Sequence, residues 1–115
     1  MTRCDPGDIV HAAFPHVERG AVVRRPALLL CRFDTDDAGV GPLAWMLMIT
    51  SAERPRWRVD VDIPEAKRLG LIIPSRVRAA KVATVAVADL IRVGPMDDRV
   101  VADARSIVVN ARAVD

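Results

Sequence analysis

Short apolar runs separated by turn residues make up most of the chain before its last twenty residues. The run that follows Pro26 and ends at Phe33 predicts a buried strand, because proline is tolerated at the first residue of a strand. Pro15 is expected to end an earlier strand, and residues 16–23 are expected to form a loop. The other strands predicted from such runs cover residues 9–14, 43–49, 75–80 and 82–87.

The clearest alternation of apolar and polar residues lies at residues 57–63 and predicts a further strand. Its apolar positions share one face and its charged positions share the other. The apolar set is Trp57, Val59, Val61 and Ile63, and the charged set is Arg58, Asp60 and Asp62. Residues 64–69 are expected to form one helical turn, which Gly70 stops.

The hydrophobic period changes to that of a helix from Asp97 onwards. Asp97 or Asp98 is placed to cap the helix start, and Gly94-Pro95 is expected to break the chain before it. The apolar positions at helical spacing are Val100, Val101, Ala104, Ile107, Val108 and Ala111. Several short strands followed by one terminal helix predict a mainly β fold, a small, mostly antiparallel barrel with a C-terminal helix.

The composition fits one small globular domain that spans residues 1–115. The sequence is 51% hydrophobic but only 3% aromatic, so its core is built from aliphatic side chains. The net charge of +2 neither requires nor excludes a nucleic-acid partner. Two cysteines without metal-type spacing, together with the absence of a signal peptide or a membrane-length apolar run, predict a cytoplasmic protein that does not enter a membrane. No phosphate-binding glycine loop, Ser-His-Asp set or metal motif is visible, and no cofactor is expected.

Two adjacent arginines at the entrance of the predicted central strand are the first candidates for chemistry. Pro26 restricts the backbone of Arg25 to an extended conformation, and strand alternation places Arg24 on the opposite face. A guanidinium group is always charged and its planar fork suits phosphate. The alternative is that Arg25 is an ordinary surface arginine that closes the strand end.

Further candidates are polar residues at strand ends and in loops. Each has an ordinary structural explanation as well: a solvated loop carboxylate, an exposed histidine, a hydroxyl that satisfies a turn, or a solvated strand face. They are His16, Glu18, Thr50, Ser51, Arg76, Arg78 and Lys81.

Taken in order along the chain, several short motifs resemble the PemK/MazF family of toxins from toxin–antitoxin modules. The matching segments are Gly7-Asp8-Ile9-Val10, Phe14-Pro15, Arg24-Arg25-Pro26-Ala27-Leu28-Leu29-Leu30, Ile49-Thr50-Ser51, Gly70-Leu71, Pro74-Ser75-Arg76-Val77-Arg78 and Val82-Ala83-Thr84-Val85. The resemblance implies an SH3-like barrel with a C-terminal helix, working as a homodimer. It also implies metal-independent cleavage of single-stranded RNA, and an antitoxin protein that lays an extended tail across the dimer.

The resemblance also implies roles for individual residues. Arg25 matches the arginine that polarises the scissile phosphate and acts as an acid, and Thr50 matches the hydroxyl residue that holds this phosphate. Glu18 matches an acidic loop residue and is the expected base, while Arg78 matches a second arginine near the groove. The expected RNA-binding residues are His16, Arg24, Ser51, Arg76, Arg78 and Lys81.

One departure from the family pattern bears on activity. Relatives commonly carry Asp two residues after the second arginine, where this chain has Ala80. The change removes a base candidate and a carboxylate that would orient Arg78, a loss for which Glu18, His16 or Lys81 would have to compensate. Two alternatives stay open: a gyrase-directed toxin, because the related CcdB toxins share the fold, and a silent member that only binds its antitoxin or RNA, because of Ala80.

Overall fold

Six antiparallel strands form one sheet in the computed structural model, which describes residues 3–16 and 21–111, without the side chains of residues 14–16 and 21–23. The strands are β1 (Asp8–His16), β2 (Ala21–Phe33), β3 (Leu43–Ser51), β4 (Asp60–Asp62), β5 (Ser75–Ala86) and β6 (Ile91–Pro95). Their spatial order is β4-β5-β3-β2-β1-β6. Short 3₁₀ turns at Ala66–Leu69 and Val87–Asp89 and one helix, α1 (Asp98–Val109), complete the fold. The predicted mainly β class with a C-terminal helix is confirmed, although β4 and β6 remain separate edges and the small barrel-like sheet does not close.

Strand β2 is apolar on both faces because it contributes to two cores. Leu28 and Leu30 join the larger core, which α1 and the turn at Ala66–Leu69 cover, whereas Ala27 and Leu29 pack into a smaller core on the other face of the sheet. A strand buried on both sides has no polar alternation, which explains its unbroken run of apolar residues.

Strands β1 and β2 are longer than the sequence predicts. Pro15 does not end β1, which continues to His16, and β2 already begins at Ala21 within the predicted loop. Strand β6 pairs with β1 only as far as His11, so beyond that residue β1 is an edge on one side. Proline is tolerated on such an edge because one row of backbone N–H groups has no partner to bond.

The prediction of a strand over residues 57–63 is wrong at its start, since β4 covers only Asp60–Asp62. The Trp57 backbone N–H donates to Asp60 Oδ2 at 2.9 Å, and the Asp60 N–H donates to the Trp57 carbonyl at 3.2 Å. These two bonds close a turn where the alternation indicates an extended chain.

Two predicted strands at residues 75–80 and 82–87 form the single strand β5, which contains a break in register. Met48 of β3 pairs with Arg78 while its neighbour Leu47 pairs with Val82, so three residues of β5 between these partners have no counterpart on β3. The expected break before the helix does fall at Pro95, but Gly94 and Pro95 are the last residues of β6, a strand that the sequence does not predict. As an edge strand, β6 accommodates a proline at its last residue.

The terminal helix is confirmed, with α1 beginning one residue after its N-cap, Asp97, whose side chain accepts from the Arg99 N–H at 2.9 Å. Val100 and Ala104 are buried against the larger core. The predicted turn before Gly70 is confirmed as the 3₁₀ segment Ala66–Leu69, and Gly70 adopts a left-handed conformation with φ of 93°. Among the described residues, no helix combines the length and the apolar character needed to cross a bilayer.

Candidate functional site

A small cationic cavity lies at the point where the pairing between β2 and β3 stops, near the end of β3. Ala27 of β2 pairs with Met48 of β3. Because the strands are antiparallel, Arg25, two residues before Ala27, lies next to Thr50, two residues after Met48. The cavity has a volume of about 90 Å³. Its lining residues are Arg25, Met48, Ile49, Thr50, Arg54, Arg78 and Lys81, so four cations and one hydroxyl face it, and no carboxylate does among the residues that the structure describes.

Arg78 is fixed by a buried ion pair with Asp60. Its Nε donates to Asp60 Oδ1 at 3.2 Å, its Nη2 donates to Oδ2 at 3.1 Å, and Nη2 also donates to the Pro55 carbonyl at 2.8 Å. The two side chains are 9% and 0% exposed. Burial alone would raise the pKa of Asp60, but hydrogen bonds from Arg78 and from the Trp57 N–H, together with the charge of Arg78, lower that pKa below its usual value. The carboxylate is therefore ionised, and its two hydrogen bonds orient Arg78.

The alternative explanation that Arg76 and Arg78 lie on a solvated strand face is wrong. Arg76 donates from Nε to Asp62 Oδ1 and from Nη1 to the Arg54 carbonyl, both at 3.1 Å, and its side chain is only 16% exposed. Alternation along β5 predicts correctly that the two arginines share a face, but it does not reveal that the neighbouring strand β4 places an aspartate opposite each of them. Arg76 lines neither of the two cavities described here and instead holds the loop that carries Arg54.

Ala80 and Lys81 occupy the part of β5 that has no partner on β3, and both are exposed. The Lys81 Nζ lies 5.8 Å from the centre of the Trp57 ring, and the Arg78 Cζ lies 4.0 Å from the same centre. Ala80, where the resemblance leads us to expect an aspartate, is therefore at the surface, and its neighbour Lys81 lines the cationic cavity.

A larger cavity of about 420 Å³ lies on the other face of the sheet. Arg24 lines it, whereas Arg25 lines the cationic cavity, as strand alternation predicts, and Thr50 contributes to both. The other lining residues are mostly apolar or small: His11, Pro26, Ile49, Ser51, Gly70, Leu71, Ile72, Ile73 and Ser75. Ile72 is 87% exposed, so the rim of this groove presents a large apolar side chain to solvent.

Sequence reasoning missed three residues of the two cavities and their surroundings. His11 lies beside the groove because β1 places it opposite Pro26. Arg54 lies in the loop after β3, and Asp60 is the first residue of β4. Neither residue belongs to a recognisable motif. Of the predicted residues, Glu18 lies outside the described residues, as does the side chain of His16.

Comparisons with known proteins identify a family and similar folds. A family model for PemK-like, MazF-like toxins of type II toxin–antitoxin systems matches residues 5–110. A crystal structure of MazF from Deinococcus radiodurans is similar with a TM-score of 0.68 and 20% identity, covering 94% of each chain. A crystal structure of MazE-MazF from the same organism has a TM-score of 0.67 and 22% identity, covering 94% of this chain and 93% of that one. No curated protein sequence matches the chain.

Proposed function

This chain belongs to the PemK-like, MazF-like toxins of type II toxin–antitoxin systems, and from that membership we propose that it is a metal-independent endoribonuclease that cleaves single-stranded RNA in the cytoplasm. The observation that carries the proposal is the cavity in which Arg25 and Thr50 meet three further cations. At about 90 Å³ it has room for a phosphate group but not for a whole nucleotide. Its surplus of positive charge suits a phosphodiester that gains negative charge during the reaction.

The proposed reaction is attack of the ribose 2′-oxygen on the adjacent phosphorus. The new P–O2′ bond replaces the P–O5′ bond, so the products are a 2′,3′-cyclic phosphate and a 5′-hydroxyl end. Arg25 stabilises the charge of the phosphorane and supplies the proton that the leaving 5′-oxygen takes up, while the Thr50 hydroxyl donates to a non-bridging oxygen. No metal is required because the charge stabilisation comes from guanidinium groups.

The proton of the 2′-OH needs a base, and the described lining residues of the cationic cavity include neither a carboxylate nor an imidazole. Asp60 is unsuited, since its lowered pKa makes it a weak base and both of its oxygens already accept hydrogen bonds. We assign the base to Glu18. Its substitution by Gln is expected to abolish cleavage without loss of RNA binding.

RNA binding is proposed to extend from the cationic cavity onto both faces of the sheet around Arg25 and Thr50. In this proposal Lys81 and Arg78 contact the RNA phosphate in the cationic cavity. Arg24 and Ser51 contact the RNA where it enters the larger groove. His16 and Arg76 complete the proposed RNA-binding set, with Arg76 acting through the loop it holds. Because most of these contacts are charged, affinity is expected to fall with rising salt.

The proposed protein partners are an antitoxin and a second copy of the chain. The groove of about 420 Å³, with Arg24 on one side and Ile72 and Ile73 on its rim, suits an extended antitoxin segment that carries acidic and apolar side chains. Homodimer formation would cover apolar surface in a domain whose sheet ends in two open edges, β4 and β6. Sedimentation at micromolar concentration without antitoxin is expected to show a dimer, and a monomer would contradict this proposal.

A single incubation separates the proposed activity from its alternatives. The purified protein is mixed with a single-stranded RNA of mixed sequence in EDTA, and the products are analysed for cyclic-phosphate ends. Such ends support the nuclease. Intact RNA combined with inhibited gyrase supercoiling would support a gyrase-directed toxin. Intact RNA with normal supercoiling would favour a catalytically silent protein that only binds its antitoxin or RNA. The presence of the exposed Ala80 is the reason for considering this alternative.

A further inference from the structure

Trp57 has an exposed indole ring, one face of which packs against a buried arginine. Its side chain lies in the turn that precedes β4, and the residue is 41% exposed. The Arg78 guanidinium carbon lies 4.0 Å from the ring centre, so one face of the indole rests on a buried cation. The backbone of the same residue is fixed by the two bonds with Asp60. The ring is therefore preorganised while a large part of it is open to solvent.

The position of this indole connects it to the cationic cavity. Arg78 lines the cavity and also lies under the ring, and Lys81 lines the cavity with its Nζ 5.8 Å from the ring centre. Trp57 is thus separated from the cavity by one layer of side chains. A chain that places a phosphate in the cavity would bring a neighbouring base over the ring.

The other aromatic side chains that the structure describes do not line the cavity. Phe33 and Trp45 form an edge-to-face pair with ring centres 5.4 Å apart. Phe33 is at the opposite end of β2 from Arg25, eight residues along an extended strand, or about 26 Å. Trp45 is five residues from Thr50 along β3, or about 17 Å. Among the described aromatic side chains, Trp57 is therefore the one that lies against residues lining the cavity, Arg78 and Lys81.

We propose that Trp57 stacks on the base next to the phosphate held in the Arg25 cavity. This inference rests on the proposed nuclease function and adds to it a residue that binds a base rather than the backbone. Stacking on an indole tolerates every base, since each has a π-face, so Trp57 contributes affinity and positions the strand. The Arg78–Asp60 pair then serves as the support that keeps the platform at a fixed height above the cavity.

The test measures binding of oligonucleotides that cannot be cleaved. Fluorescence anisotropy compares a 2′-O-methyl strand of mixed sequence with an abasic strand of the same length and charge. Trp57→Leu is expected to weaken binding of the first strand on the order of 10-fold, as loss of one stacked base does. Trp45→Leu, which changes the remote tryptophan, is expected to bind like the wild type. On the abasic strand Trp57→Leu and the wild type should be equal, and Trp57→Phe should retain most of the affinity.

A second readout uses the fact that the chain has two tryptophans. In a Trp45→Phe protein all tryptophan fluorescence comes from Trp57, and the 2′-O-methyl strand should quench it while the abasic strand should not. An equal loss of affinity on both strands would show that Trp57 only supports the fold, and would overturn the inference. The inference would also be overturned if the Trp57→Leu variant cleaved RNA and bound the 2′-O-methyl strand as tightly as the wild type does. That result would leave the nuclease proposal intact. A wild-type protein that neither binds nor cleaves RNA would overturn both.

Discussion

Arg78 and Asp60 face each other across the β4–β5 pair, and the guanidinium donates to both carboxylate oxygens at 3.2 and 3.1 Å. The pair connects three parts of the site. It fixes an arginine of the cationic cavity, it supports the Trp57 ring, and it closes the turn before β4. Arg78 is thus oriented by a carboxylate from β4, whereas the resemblance leads us to expect a carboxylate at position 80 in this role.

Loss of the carboxylate charge at Asp60 should destabilise the fold strongly. Asp60→Asn leaves the Arg78 charge buried beside other cations, and breaking such a pair costs about 3–5 kcal/mol of unfolding free energy. Chemical denaturation measures the effect. Asp62→Asn is the matched control, because the Asp62 side chain is 67% exposed and its ion pairs should contribute less than about 1 kcal/mol. Equal losses for the two variants would contradict a dominant role for the buried pair.

The lowered pKa of Asp60 predicts a direction for the pH dependence of stability. The unfolded chain binds a proton at this carboxyl near its ordinary pKa of about 3.9, and the folded chain only at lower pH. The stabilisation is therefore complete well above that value and is lost as the pH falls through the folded pKa. The difference in unfolding free energy between wild type and Asp60→Asn should narrow as the pH falls from 6 towards 2. A difference that grows with acid would be inconsistent with this assignment.

Two valines on the same helix test how α1 packs. Val100 is 2% exposed and Val109 is 75% exposed. Val100→Asp should lower the unfolding free energy by about 3 kcal/mol or more, because it removes buried apolar surface and introduces a charge into the core. Val109→Asp should change it by less than about 0.5 kcal/mol. Thermal melting of both variants decides the matter, and similar melting temperatures would mean that α1 does not dock as described.

Gly70 is the position where a methyl group should be poorly tolerated. Its φ is 93°, and an added Cβ would lie 3.0 Å from Val93 Cγ1. Gly70→Ala should therefore destabilise the protein by about 1–2 kcal/mol. At Gly41 no atom lies within 4 Å of an added Cβ, so Gly41→Ala should be close to neutral. Denaturant unfolding that ranks the two substitutions in the opposite order would refute this account of the turn.

Local patterns in the sequence predict the parts of the fold that depend on one element at a time. The apolar run of β2, the capped helix after Asp97 and the glycine stop at Gly70 each follow from neighbouring residues. The turn at Trp57 does not, because it depends on a side-chain bond from Asp60 that overrides the alternation. The burial of Arg78 depends on a partner 18 residues away, and strand pairing over that distance leaves no local signal.

In the site as well, neighbouring residues predict some positions, whereas others depend on partners distant in the sequence. The opposite faces of Arg24 and Arg25 follow from alternation along one strand, and the placement of Thr50 follows from its position at a strand end. His11 and Arg54 join the cavities through the register of neighbouring strands and the path of a loop. Neither the register nor the loop is specified by the residues next to them.

The central claim, that Arg25 acts on the scissile phosphate, is tested most directly by single-turnover RNA cleavage in EDTA. The wild type is compared with Arg25→Ala, Arg25→Lys and Arg24→Ala, with thermal melting as the check on folding. Arg25→Ala should lose on the order of 100- to 1000-fold in rate with an unchanged melting temperature, since Arg25 is exposed and its charge acts on the transition state. Arg25→Lys should recover little, because a point charge lacks the guanidinium fork, and Arg24→Ala should remain far more active. Equal losses for Arg25→Ala and Arg24→Ala would mean that both serve as a general basic patch, and would contradict the assignment of Arg25 as a catalytic residue.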